Sequence, residues 1–176
     1  MGFHTLAPRQ PSGSSSAQEG FLNPHMTATS INLDSLNDLL KETSRGILMT
    51  RRRDGGIQSS PMSLLGDDDG NLLFSTRATA AKVKNLKRDP YAAVCIITEK
   101  FLGPWLHVEG EADITFLPEA MPLLADFYRR RGLVEDTDSD AFKQRMQDEG
   151  RCLIRVRLTR VVQPPSRPPA RPATGA

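Results

Sequence analysis

Between Phe74 and Pro90 the chain sets three hydroxyl side chains, Ser75, Thr76 and Thr79, beside two cations, Arg77 and Lys82. If a strand gives way to a helix at this point, those residues suit an anion, because the first N–H groups of a helix have no internal partner and can donate to one. The same residues also describe an ordinary capped helix with a solvated basic face. Other constellations are weaker. His107 is the only histidine after His25, and no serine sits in a glycine elbow, so a Ser-His-Asp triad lacks parts. A His or Cys metal site lacks ligands. No helical pair of carboxylates stands out. A chain this poor in acids and bases points to chemistry borrowed from a cofactor, with the protein supplying binding and orientation. No side chain is identified as catalytic; solvent or His107 would serve as proton donor.

The elements that must hold these residues follow from patterning. Asn71–Thr76 reads as a strand, and the segment 78–88 as a helix stopped at Asp89-Pro90, since the residue before a proline is pushed out of the α region. Upstream, Asp34 caps a helix over 33–43 with Leu33, Leu36, Leu39 and Leu40 on one face. Strands at 46–50 and 57–65 flank the Asp54-Gly55-Gly56 turn, and a second turn at 66–70 makes a three-stranded antiparallel meander. The apolar run Tyr91–Thr98 reads as a strand buried on both faces, with Cys95 a buried thiol. In 104–116, Leu106, Val108 and Ala112 alternate with His107, Glu109 and Glu111, and Gly110 marks a bulge or close backbone approach. A helix over 118–131 opens on Pro118 and ends in three arginines at the negative end of its dipole. Helix 139–149 and strand 152–162 complete the pattern. The sum is an α+β architecture of about six mostly antiparallel strands around a barrel-like sheet, with covering helices.

Two charge runs read as turns. Arg51-Arg52-Arg53 precedes a hairpin turn and has no aromatic neighbour on which a base could stack. The aspartates at 67–69 lack the remainder of a calcium loop, including its twelfth-position glutamate. A net charge of +2 gives no ground for bulk nucleic-acid binding, and no apolar run approaches a membrane span. The 176 residues suit one domain. Two cysteines without metal or disulfide spacing suit a reducing cytoplasm. Residues 1–30 are expected to be a disordered leader, either left by cloning, given the His25-Met26 pair, or native; 31–163 form the domain; 164–176, rich in Pro and Arg, are expected to be a disordered tail.

The run Phe74-Ser-Thr76 followed by Lys82, Asn85, Leu86, Arg88, Asp89 and Pro90 resembles the split-barrel flavin family, which includes the pyridoxamine 5′-phosphate oxidases and their relatives that bind the deazaflavin coenzyme F420. Gly103-Pro-Trp-Leu-His-Val-Glu-Gly110 is a second match, one strand further on, and the likeness spans roughly 34–162. It implies a split β-barrel and a homodimer with cofactors at the subunit interface. It also implies that Ser75, Thr76, Arg77, Ala78, Thr79, Lys82 and Asn85 serve the phosphate and polyglutamate arm. By the same likeness Ser60, Pro61, Met62 and Ser63 lie against the ring, and Phe101, Gly103, Pro104 and Trp105 of the second subunit wall the site. Met62 and Trp105 also read as core residues. The FMN-binding oxidases carry an arginine and a lysine on the strand matching Ser59–Leu64; this chain has neither, and Trp105 replaces their glutamine. The resemblance therefore points to an F420-dependent oxidoreductase acting on an unsaturated small molecule. The alternatives are an FMN-dependent enzyme of the same fold and a non-catalytic module that binds a flavin or tetrapyrrole.

Overall fold

Period-two alternation of apolar residues builds one sheet, and a single buried residue links its two edge strands. The computed structural model describes residues 33–100 and 102–162; the expectations for 1–30, for 164–176 and for Phe101 fall outside the described residues. The elements run α1 (Leu33–Glu42), β1 (Arg45–Arg51), β2 (Ile57–Ser63), β3 (Leu65–Gly66), β4 (Leu72–Arg77), α2 (Ala81–Arg88), β5 (Tyr91–Ile97), β6 (Trp105–Phe116), α3 (Met121–Arg130), α4 (Asp140–Asp148) and β7 (Arg151–Val162). The seven strands lie in the order β2-β1-β5-β6-β7-β4-β3, all antiparallel.

The strand expected at 57–65 is broken at Leu64, which accounts for the seventh strand. Up to Ser63 the chain pairs with β1 at one edge of the sheet; from Leu65 it pairs with β4 at the other. Leu64 between them is 1% exposed, and its N–H donates to the Ser44 carbonyl at 2.7 Å. Burying that side chain pulls the chain across the barrel mouth, so the two sheet edges are one residue apart. The result is a split β-barrel.

Inside the barrel lie Leu48, Phe74, Val94, Ile96, Val108 and Ile154, capped by Leu36 and Leu39 of α1 and Val83 and Leu86 of α2. A second cluster sits on the other face of β4 and β7, where Leu73 and Leu153 pack beneath Leu124 and Phe127 of α3 and Phe142 and Met146 of α4. Ser139 caps α4, its hydroxyl accepting from the Phe142 N–H at 3.3 Å. The Gly110 bulge is present: Glu109 pairs with Arg160 but Gly110 with Leu158, leaving Thr159 as the extra residue.

Several expectations change. β5 is not buried on both faces. Ala92, Ala93, Val94 and Ile96 are buried, but Tyr91, Cys95 and Ile97 are half-buried, because they point to the outer face rather than into the barrel. Cys95 is accordingly half-buried, and Cys152 is the fully buried thiol. Trp105, 38% exposed, is no core aromatic. Helix α3 begins at Met121 with Pro122 in its first turn; Pro118 belongs to the preceding turn. Helix α2 begins at Ala81, after a turn at 78–80. The charge runs are largely satisfied locally, although Arg51 ends β1 rather than lying in the turn and has an aromatic neighbour, Tyr91, that its place in the sequence did not show. Arg51 stacks 4.1 Å over the Tyr91 ring and pairs with Asp89, and Arg52 pairs with Asp54. Asp67 accepts from the Asn71 N–H and side-chain amide at 2.8 and 2.9 Å. No cluster of three or more His, Cys, Asp or Glu residues suited to a metal occurs among the described residues.

Candidate cofactor site

The site is built from the end of β4, the start of α2 and the edge strand β2. Strand alternation divides Ser75 from Thr76. Thr76 points into the barrel and is buried, whereas the Ser75 hydroxyl lies 3.4 Å from the Tyr128 hydroxyl of α3 on the opposite face. Arg77 follows, exposed, opposite Arg151 of β7. The chain then turns: the Ala78 N–H donates to the Gly150 carbonyl at 2.8 Å, and Thr79 is exposed. The residue at the cap of α2 is Ala80, which makes no side-chain cap hydrogen bond. Alanine offers no side-chain acceptor, so the start of α2 has no side-chain cap, although the Val83 N–H donates to the Ala80 carbonyl at 3.0 Å. Lys82 stands on that turn. Burial pushes the Cys152 thiol up to about 11, against smaller lowering influences from Arg151 and Lys82. Arg151 is already paired with Glu149 at 2.5 Å. A hollow of about 290 Å³ lined by Ala78, Phe116, Leu117, Gln147, Gly150 and Arg151 opens beside this cluster.

Asn85 does not join the cluster. It is 8% exposed and turned inward; its amide nitrogen donates to Thr50 Oγ1 at 3.0 Å and Gln58 Oε1 at 3.4 Å. Gln58 in turn donates to Ser60 Oγ at 2.6 Å. Asn85 thus keys α2 to β1 and β2.

On β2 the four expected ring residues alternate. Ser60 and Met62 face the barrel, Met62 packing against its core, while Pro61 and Ser63 are exposed. Around Pro61, Met62 and Ser63 lies a hollow of about 540 Å³ whose other walls are Ser44, Arg45, Gly46, Ile47 and Ile97. Trp105 pairs with Ile97, Ile97 with Arg45 and Arg45 with Ser63, so one transverse row joins the tryptophan to the hollow within a single chain. Pro104 is exposed, and the Gly103 N–H closes a turn onto the Lys100 carbonyl at 2.7 Å. A methyl group at Gly103 would stand 2.5 Å from the Thr98 hydroxyl and 2.8 Å from the Lys100 carbonyl.

The residues present therefore fit a cofactor with a flat ring and an acidic arm: an uncapped helix start flanked by Arg77 and Lys82 for the arm, and a hollow walled by proline and isoleucine for the ring. Patterning missed Ser44, Arg45 and Arg131. The Arg131 guanidinium reaches Ser44 and Ser63 across 87 and 68 residues of chain. Its only mark in the sequence was membership of the 129–131 arginine run, which reads as helix-end charge.

Comparison with known proteins agrees with this architecture. One similar solved structure, an F420 reductase, is 25% identical with a TM-score of 0.54, covering 71% of this chain and 94% of its own. A conserved hypothetical protein of Mycobacterium tuberculosis is 21% identical with a TM-score of 0.58, over 77% and 85% of the two chains. A pyridoxamine 5′-phosphate oxidase-related, FMN-binding protein of Nostoc punctiforme shares the fold at 14% identity and a TM-score of 0.56, over 76% and 83%. No curated protein matches. The sequence profile of the pyridoxamine 5′-phosphate oxidase family matches residues 33–163, spanning every described residue, and the protein belongs to that family.

Proposed function

We propose that the protein is an F420-dependent oxidoreductase that reduces an electron-poor double bond in a small molecule. The observation that carries this is a contrast: the start of α2 is uncapped and flanked by Arg77 and Lys82, while β2 from Ser59 to Ser63 offers no cation. Bound there, the deazaflavin would supply a hydride. The chain's own part is to hold and exclude. Arg77, Thr79 and Lys82 take the acidic arm, with Ala78 beside them, while Thr76, turned into the barrel, and Ser75, beside Tyr128, fix the strand end from its two faces. Pro61 and Ser63 lie against the ring, Ser60 and Met62 shape the strand from behind, and Gly103, Pro104 and Trp105 of a second subunit shut out water. Similarity to the F420 reductase supports this reading. Mass spectrometry of the cofactor retained after purification from a deazaflavin-producing host tests it. Retained F420 is expected; retained FMN would overturn the assignment, and F420 bound without turnover of any activated alkene would leave a non-catalytic binding module.

Lys82 gives the sharper local test. A charge-assisted hydrogen bond contributes about 1.5–3 kcal/mol. Lys82→Ala should therefore weaken F420 binding roughly ten- to a hundredfold with thermal stability nearly unchanged, since the side chain is only half-buried at the first turn of a helix. Titration showing wild-type affinity would return Lys82 to a solvated helix face.

Assembly as a homodimer belongs to the same reading. The outer face of β1, β2, β5 and β6 leaves Ile57 56% and Trp105 38% exposed and Ile47, Met49, Cys95 and Ile97 half-buried, and contiguous apolar surface of this kind marks an interface. Light scattering should give twice the 19.4 kDa chain mass; a monomer at micromolar concentration would remove the interface-bound site. No helix among the described residues is long and apolar enough to cross a membrane. The two free cysteines support the reducing cytoplasm as the location.

A further inference from the structure

We propose that the tip of the β1–β2 hairpin and the adjoining end of α2 form a contact surface for an anionic phospholipid bilayer. Charge is the first observation. α2 carries Lys82, Lys84, Lys87 and Arg88 and no carboxylate, whereas α1, α3 and α4 each contain at least one. Lys84, Lys87 and Arg88 are exposed, on the side of the helix away from its buried Val83, Asn85 and Leu86. Arg88 Nη2 donates to the Arg51 carbonyl, which fastens the end of α2 to the base of the hairpin. Beyond that point come Arg52 and Arg53, both exposed.

Two carboxylates lie in this region, and each is already engaged. Asp54 holds Arg52 at 3.0 Å and accepts from the Gly56 N–H, also at 3.0 Å; Asp89 pairs with Arg51 at 3.3 Å and accepts from the Tyr91 N–H at 3.1 Å. Among the described residues Arg53, Lys84, Lys87 and Arg88 have no carboxylate partner. Six cations, 51–53 with Lys84, Lys87 and Arg88, stand against two carboxylates, an excess larger than the +2 of the whole chain, so positive charge is concentrated at this end of the molecule. The second observation is apolar. Ile57 opens β2 at the same tip and is 56% exposed. Its neighbours across the sheet are Arg51, Tyr91 and Glu111 rather than the apolar residues around Ile47 and Ile97, so a dimer that covers those leaves Ile57 at the rim. An apolar side chain among uncancelled cations suits a bilayer surface, where the cations meet phosphate and the isoleucine enters the acyl boundary. A nucleic acid fits less well. It gains nothing from an exposed isoleucine, and the Tyr91 ring already carries the Arg51 guanidinium 4.1 Å from its centre, in the place a base would take.

The test sediments the full chain with vesicles of phosphatidylglycerol and phosphatidylcholine in equal parts, and with phosphatidylcholine alone. Wild type should pellet with the first and stay in solution with the second, and added salt should release it. Each cation at such a surface is worth about fivefold in affinity. Arg53→Glu, which moves the charge by two units, should therefore weaken binding about twenty-five-fold. Arg129→Glu makes the same change in net charge at the exposed end of α3 and should bind as wild type does. Ile57→Ser should lose roughly three- to tenfold, with a mass by light scattering equal to that of wild type. Should circular dichroism show Arg53→Glu unfolded, Arg53→Gln takes its place with an expected loss of about fivefold. Equal pelleting with both lipids or with neither, equal losses in the two glutamate variants, or wild-type binding by Ile57→Ser overturns the proposal. A changed mass in Ile57→Ser also overturns it, by giving that residue to an interface between copies. So does tighter binding to a short DNA duplex than to the anionic vesicles, or release of the vesicles by F420, which would give these cations to the cofactor's arm.

Discussion

Gly110→Ala is expected to lower folding stability by about 3 kcal/mol, the upper end of what overpacking costs. A Cβ at this position would stand 2.1 Å from the Arg157 carbonyl oxygen and 2.9 Å from its carbon. Those atoms are backbone of the neighbouring strand, so no rotamer change relieves the clash; β6 and β7 must part or the bulge must move. The register shift at Glu109/Gly110 places the glycine against β7 at the bend of the longest strand pair in the barrel. Gly55→Ala is the control. It too is strained, by a φ of +82°, but nothing lies within 4 Å of the added methyl, so its cost should stay near 1 kcal/mol. Urea unfolding of both variants measures the difference. Equal losses would mean that β7 yields to the methyl and that the bulge is not locked by close approach.

Selectivity between cofactors should be the largest functional effect: F420 binding in the micromolar range, weakening with salt, and FMN binding at least tenfold more weakly. FMN has one phosphate. Arg77, Lys82 and the uncapped turn of α2 can hold it, but the cations that the FMN oxidases place on the neighbouring strand are missing between Ser59 and Ser63. Two lost charge-assisted contacts cost on the order of 3–6 kcal/mol. Arg131 does not replace them. It meets β2 at Ser63, whereas α2 meets the strand at Gln58 through Asn85, about 17 Å away along an extended chain. The deazaflavin's longer acidic arm can instead run along α2 towards Lys84, an exposed residue whose attraction salt screens. Fluorescence titration of the single tryptophan, Trp105, reads both ligands. Comparable affinities would favour the FMN-dependent alternative.

Patterning alone made much of this fold legible. The alternation of Leu106, Val108 and Ala112, the bulge at Gly110 and the turn at Gly55 are local signals carried by residue type and period two. What it could not supply was direction and distance. A run of small residues at 59–63 gave no sign that Leu64 would dive inward and send the chain to the opposite sheet edge, because that depends on β4 being there to receive it. The same run hid the division of Ser60 and Met62 from Pro61 and Ser63, since both faces carry residues of similar polarity. Asn85 read as a polar helix residue free to meet a ligand. Its partners, Thr50 and Gln58, lie 35 and 27 residues away, and only the folded barrel brings them under the helix. Arg131 was legible as charge but not as reach.

Pro61 has a consequence beyond the hollow it lines. It stands in the middle of β2, at the open margin of the sheet, where a strand normally presents a row of amide donors to any passing chain. A proline in a paired edge strand turns its nitrogen away from its neighbour and has no hydrogen to offer. A foreign strand laid along β2 would therefore find one rung of its ladder missing. The residue that walls the hollow also makes edge-to-edge pairing of two molecules less favourable, and an engineer who replaces Pro61 to enlarge the hollow should watch solubility as closely as affinity.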